Sequence, residues 1–194
     1  LNLKKSSISF KILYSSGNST MLIDWSDINI QLMLITLKNK EFIIIDDFIF
    51  KCAIGKNGIK LRKKEGDKAT PSGTFSIGKL YYRADRVKKP VTKISTRIIK
   101  KNMGWCDDPK NKYYNKEIIV DKKIGHEKLF REDNSYDYLI VINYNTIKPK
   151  AFKGSAIFLH LTKNYKKTMG CLALKKRDFL ILIKIINKRT KIKI

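Results

Sequence analysis

The sequence predicts a mainly β domain with long loops and one C-terminal helix. Three observations lead there: short apolar and β-branched runs bounded by Gly, Asn, Asp and Ser recur along the chain, long polar segments separate them, and one stretch alone has strong helical periodicity. A chain of 194 residues is the size of one domain with a short appendage, and it buries enough surface to fold without disulfides or metal. With 43% apolar residues and only 4 Pro and 10 Gly, disordered, collagenous and low-complexity classes are excluded.

Residues 1–32 differ from the rest of the chain and are expected to be an N-terminal appendage or a misassigned start, with turn residues around Ser15 to Ser19. The domain proper is expected over 33–190. Beyond Met33, strands are expected at Leu34 to Leu37, Glu41 to Ile45 and Phe48 to Ile54. Gly55 to Gly66 reads as a basic loop leading into a structured turn at Gly66, Pro71 and Gly73, followed by the alternating strand Thr74 to Ile77. Tyr81 to Tyr114 is polar and is expected to cross the surface as loops. Strands resume at Tyr138 to Ile142 and Ala156 to Leu159, and Asp178 to Lys188 carries Phe179, Leu180, Ile183 and Ile186 at helical spacing.

The chain has 42 Lys+Arg against 17 Asp+Glu, a net charge of +25 that attracts anions. The basic residues are spread from Lys4-Lys5 through Arg62-Lys63-Lys64 to Lys191 and Lys193, and Lys outnumbers Arg. Specific nucleic-acid readout is therefore not expected, although weak salt-sensitive attraction is. Cys52, Cys106 and Cys171 are odd in number and form no Cys-x-x-Cys pair, so at least one thiol should be free. No apolar run reaches the length of a membrane span. The charged start Leu1 to Lys5 precedes neither a convincing apolar stretch nor a small-residue cleavage site, so no signal peptide is legible.

The search for a catalytic pair centres on His160, expected at the end of a strand, and Cys171, which follows Gly170 after a polar loop. A thiol needs an imidazole to accept its proton and to hold a thiolate as an ion pair. Gly170 and Cys171 offer neighbouring N–H groups for an oxyanion, and the missing Cβ of Gly170 would let substrate approach. The carbonyl of Leu161 is a candidate to orient the ring. On residues alone a structural His and a buried, inert Cys are the plainer reading.

Ile157 to His160, followed by Thr168-Met169-Gly170-Cys171-Leu172-Ala173-Leu174, resembles the signature of the L,D-transpeptidases (YkuD-type catalytic domain), in which a strand-end His precedes a Ser/Thr-x-Gly-Cys turn. Gly66 to Phe75 is similar to the family's Thr-Pro-x-Gly-x-Phe segment. Gly104 to Pro109, His126 to Asp133 and Tyr144-Asn145 resemble a subgroup with Gly-Trp-Cys-Asp-Asp-Pro, His-Glu-x-Leu-x-Arg-Glu-Asp and Tyr-Asn. The resemblance runs in order from Met33 to Lys188. Two departures stand out: Leu161 where many members have Gly, and Ala173 where many have Arg, which removes a group that could bind a substrate carboxylate.

The resemblance implies a β-sandwich catalytic domain in which Cys171 is the nucleophile, His160 the base, Gly170 and Cys171 the oxyanion turn, and the Leu161 carbonyl the group that orients the His. It implies a peptidoglycan stem tetrapeptide as donor, a thioester acyl-enzyme, transfer to an amine to give 3-3 cross-links, and an envelope location. Candidate residues lining the substrate site are His126, Thr168, Tyr114 and Arg131, with a structural role slightly favoured for His126. No cofactor or metal is expected, and the partner is the stem peptide, acted on by a monomer. Water as acceptor would make the protein an L,D-carboxypeptidase. A two-Cys, two-His zinc set of Cys106, His126, His160 and Cys171 lacks zinc-site spacing. A non-catalytic basic domain holding wall polymer or nucleic acid is the remaining class. Cys52 is expected in the core, Cys106 in buried packing, and Tyr113-Tyr114-Asn115 in loop packing.

Overall fold

The computed structural model describes residues 11–16, 19–24, 33–120 and 123–194. The chain divides into two compact units, Leu1–Leu32 and Met33–Ile194. In the first, β1 (Lys11–Ser16) and β2 (Ser19–Asp24) pair antiparallel, with Ser16 opposite Ser19.

The second unit holds β3 (Leu34–Lys38), β4 (Phe42–Ile45), β5 (Phe48–Ala53), β6 (Ile59–Lys60), β7 (Thr70–Pro71) and β8 (Thr74–Tyr82). It continues with β9 (Thr96–Ile98), β10 (Met103–Cys106), β11 (Glu117–Ile119), β12 (His126–Lys128) and β13 (Tyr138–Ile142). The chain ends with β14 (Phe158–Leu161), β15 (Leu172–Leu174), helix α1 (Lys176–Ile185) and β16 (Lys191–Lys193). The order β13-β14-β15-β5-β4-β3-β16-β8-β9 makes a nine-stranded mixed sheet. The two layers of the expected sandwich are continuous, because β8 pairs with β16 through Thr74–Ser76 and with β13 through Ile77–Tyr82, so that the sheet wraps back onto itself.

Alternation along β13 and β14 divides the interior in two. Ile140, Ile142, Leu159 and Leu161 face a large core with Ile35, Ile43, Leu172, Leu174 and the helix residues Phe179, Leu182 and Ile183. On the opposite face, Leu139, Val141, Phe158 and Cys171 join Tyr81, Met103, Trp105, Leu129 and Tyr136 in a second cluster. The small sheet β11-β10-β12 lies over that cluster and contributes Met103 and Trp105 to it. His160, two residues beyond Phe158, shares this second face.

The structure corrects several expectations. The Tyr81–Tyr114 segment is surface loop only in part: β8 runs into it, β9 and β10 lie within it, β10 is buried at all four positions, and Trp105 packs edge-on against both Tyr81 and Phe158. Its polarity misleads because its buried polar groups find partners: Arg83 binds Asp85 and the Arg131 carbonyl, Tyr81 donates to Glu117, and Asn115 takes up Trp105. Asn115 Oδ1 accepts from Trp105 Nε1 (2.8 Å) and from the Ala156 N–H (3.0 Å), while its Nδ2 donates to the carbonyls of Tyr144 and Asn145. Strand β14 begins at Phe158 and continues past His160 to Leu161, so the His lies within the strand and not at its end. The helix starts at Lys176 and stops at Ile185, where Ile186 turns extended (φ −69°, ψ 156°), because the chain must leave the helix to insert β16 between β3 and β8. That strand lies beyond the expected limit of the domain at residue 190.

Phe179 is fully buried and its ring stacks on Tyr138 at 6.0 Å, which docks the helix on the sheet. Phe179→Ala is expected to cost about 3–5 kcal/mol by removing an aromatic side chain that its neighbours cannot replace. Urea unfolding followed by tryptophan fluorescence checks this.

Candidate active site

Parallel pairing of β14 with β15 brings His160 opposite Ala173, with Leu159 opposite Leu172. Cys171 precedes Leu172, and its sulfur lies at the start of β14, accepting from the Phe158 N–H and donating to the Ala156 carbonyl, each at 3.3 Å. His160 and Cys171 open onto one cleft of about 590 Å³, which Lys63, Glu65, Asp107, Glu127, Arg131, Tyr136, Ser155, Thr168 and Met169 also line. His160 Nδ1 lies 2.9 Å from the Leu161 carbonyl, so a proton on Nδ1 leaves Nε2 to accept one. Tyr136 backs the imidazole at 5.3 Å between ring centroids, and its hydroxyl donates to Glu127 at 3.1 Å.

The turn before Cys171 is held from several sides. Thr168 Oγ1 donates to the Cys171 carbonyl at 2.6 Å and accepts from the Gly170 N–H at 3.2 Å. The Thr168 backbone is bonded to Ile54 and Lys56. Gly170 has φ +136°, and a Cβ there would sit 2.9 Å from the Ala69 carbonyl. Glycine is therefore required because the 66–71 segment packs against the turn, and not because substrate approaches along that direction, as the sequence suggested. The Gly170 N–H, expected to face an oxyanion, is engaged by the Thr168 hydroxyl.

The other sequence-predicted residues divide. Arg131 is in the cleft, fixed by Glu127 (3.2 Å) and Asp133 (2.6 Å), with its guanidinium 5.1 Å from the Tyr136 ring. Thr168 lines the cleft, but both hydroxyl bonds serve the turn. Tyr114 does not line it: the side chain is buried, donates to Glu65 and accepts from the Gly154 N–H at 3.0 Å. His126 also lies away from the cleft. Its Nδ1 is 2.6 Å from the Ile124 carbonyl, and its ring packs where a Gly104 Cβ would fall, 2.9 Å away. Ala173 is fully buried beside His160, so the position carries no carboxylate-binding group. Cys52 and Cys106 are buried free thiols, and Cys106 is paired in register with His126. Among the described residues no group of three or more His, Cys, Asp or Glu is placed to hold a metal ion.

Sequence reasoning missed Lys63, Asp67, Glu127 and Tyr136. Lys63 and Asp67 lie in a basic loop read as diffuse charge, and their four-residue spacing carries no signal there because the segment is not helical. Burial pushes the Cys171 thiol up to about 12 and the His160 imidazole down to about 4. Desolvation penalises thiolate and imidazolium alike and so favours the neutral pair over the ion pair expected from the sequence.

The fold and cleft define a mainly β domain with an imidazole on one strand and a thiol just ahead of the parallel strand beside it. The family model for the L,D-transpeptidase catalytic domain (YkuD) matches residues 25–194, and the chain belongs to that family, whose catalysis acts on peptidoglycan. Comparison with curated proteins and with solved structures gives no match.

Gly170→Ala is expected to destabilise the protein by about 1–3 kcal/mol from backbone strain alone, measured by chemical denaturation. The folded-state pKa of His160 lies below its ordinary 6.5, so the unfolded chain takes up the proton first. Stability should then decline as pH falls from 6.5 toward 4, and His160→Gln should remove that part of the slope in urea midpoints.

Proposed function

We propose that the protein is a cysteine-dependent L,D-transpeptidase acting on peptidoglycan stem peptides. The observation that carries this reading is the common opening of Cys171 and His160 onto one cleft, with Nδ1 of the imidazole against the Leu161 carbonyl. His160 Nε2 takes the thiol proton as Sγ attacks the carbonyl of the third stem residue. The C–N bond breaks, the imidazolium returns its proton to the departing amine, and D-Ala leaves while the acyl group remains as a thioester on Cys171. A side-chain amine of a second stem then attacks the thioester, its proton passes to His160, and sulfur leaves to recover the thiol. The product is a 3-3 cross-link, and the reaction needs no cofactor.

The cleft wall carries both signs: Glu65, Asp107 and Glu127 line it, as do Lys68, Lys166 and Lys167, and burial together with the charges of Glu65 and Glu127 raises the Asp107 carboxyl. Its carboxylates are the groups an incoming ammonium meets before His160 accepts its proton. Arg131 and the exposed Lys68, Lys166 and Lys167 are the cleft cations available to a substrate carboxylate in place of the Arg that Ala173 replaces. The substrate assigns the work to the cell envelope. Among the described residues no helix is long and apolar enough to cross a membrane.

Cys171→Ala is expected to abolish both D-Ala release from a stem tetrapeptide and the covalent adduct with a carbapenem, read by amine detection and intact mass. Turnover by this variant at the wild-type rate contradicts the assignment. Because His160 stays neutral down to about 4, the acid limb of the rate profile is expected below pH 6.5. A limb at or above 6.5 would show that another group supplies the base.

A further inference from the structure

Among the described residues, Lys63 is the one lysine whose side chain is buried at the cleft. Its side chain is 4% exposed and its ammonium binds Asp67 Oδ1 at 2.6 Å, with the Lys64 carbonyl at 3.5 Å. Burying an ammonium is costly even when it is paired, and a hydrophobic pair of equal volume would commonly be as stable. The surroundings nonetheless fix this charge. The Lys63 stem lies across Gly154 so closely that a Cβ there would meet Cε at 2.7 Å. Asp67 is itself held by the N–H groups of Lys64 and Ala69, at 2.9 and 3.0 Å.

The far end of the side chain meets the catalytic turn. Lys63 Nζ is 3.6 Å from the Cβ position of Gly170, and the Ala69 carbonyl, on the segment that Asp67 anchors, is 2.9 Å from the same point. The ion pair therefore sits behind the turn that presents Cys171. Glu127, Arg131 and Tyr136 face the thiol from β12, the following loop and the 3-10 turn Asn134–Tyr136, and His160 shares its cleft. Of the cations in that set, Arg131 is matched by two carboxylates, Glu127 and Asp133, whereas Lys63 has one. Lys63 is also the member of its pair among the charges that bear most on Cys171, lowering the thiol.

We propose that Lys63 is a positioning residue for acyl transfer: clamped by Asp67, its ammonium braces the Gly170–Cys171 turn from behind and supplies the buried positive charge that favours negative charge on the sulfur and on the oxyanion. The need for such a charge follows from the site, since one of the two expected oxyanion donors, the Gly170 N–H, is engaged by Thr168. This inference rests on Cys171 as the nucleophile.

The test compares wild type with Lys63→Met/Asp67→Asn, which removes both charges at nearly constant size. The readouts are melting temperature, the pH dependence of Cys171 alkylation by iodoacetamide followed by peptide mass mapping, and kcat and KM for D-Ala release. A folded double variant should alkylate Cys171 roughly tenfold or more slowly at neutral pH, the effect of one pKa unit, with its midpoint moved up. Its kcat should fall with little change in KM. Asp67→Asn alone keeps the ammonium without its counter-charge, so its alkylation midpoint should move down; this arm decides the matter if the double variant does not fold. A folded double variant with the wild-type profile and kcat, or an Asp67→Asn midpoint that does not move, overturns the proposal. D-Ala release by Cys171→Ala at the wild-type rate would instead remove the nucleophile reading itself.

Discussion

The parallel pairing of β14 with β15 is the constraint on which the rest of the site depends. Through the rungs Leu159 to Leu172 and Leu161 to Leu174 it buries four leucines in the main core, and that burial fixes which face of each strand points the other way. His160 and Cys171 lie on that other face because side chains alternate, and a one-residue slip would put both into the core. The free energy that sets the register is thus hydrophobic, although its product is a polar site.

Placing a thiol and an imidazole at the margin of a buried cluster has an electrostatic consequence. Desolvation drives both toward their neutral forms and so opposes charge separation at rest. Charge must develop during the reaction, and fixed charges around the cleft act on that moment. Arg131 is held against Glu127 and Asp133, and Lys63 against Asp67, so neither cation has to reorganise when the sulfur becomes anionic. The cleft wall itself carries both signs, with Glu65, Asp107 and Glu127 beside Lys68, Lys166 and Lys167.

Much of the sheet was legible in the sequence because the runs at Leu34, Phe42, Phe48, Tyr138 and Leu172 are β-branched or aliphatic and bounded by turn residues. The His-loop-Cys spacing was legible too, as was the Leu161 carbonyl as neighbour of the imidazole. What escaped was decided by contacts distant in sequence. The 81–114 segment looks like solvated loop until Asn115 is seen to satisfy buried groups at Trp105, Tyr144, Asn145 and Ala156. Lys63 looks like one of many surface lysines until Gly154 and Gly170 close over it. Tyr114, a candidate for the cleft, is instead turned inward by a bond to Glu65, in keeping with the loop-packing reading, and His126 takes the structural role slightly favoured for it, held by the Ile124 carbonyl.

The most direct test of the account is peptide mapping of enzyme acid-quenched during turnover of a stem tetrapeptide. The account predicts an acyl-tripeptide mass on Cys171, with Cys52 and Cys106 unmodified. D-Ala release with no acyl mass on Cys171, or with the acyl mass on another residue, would contradict it.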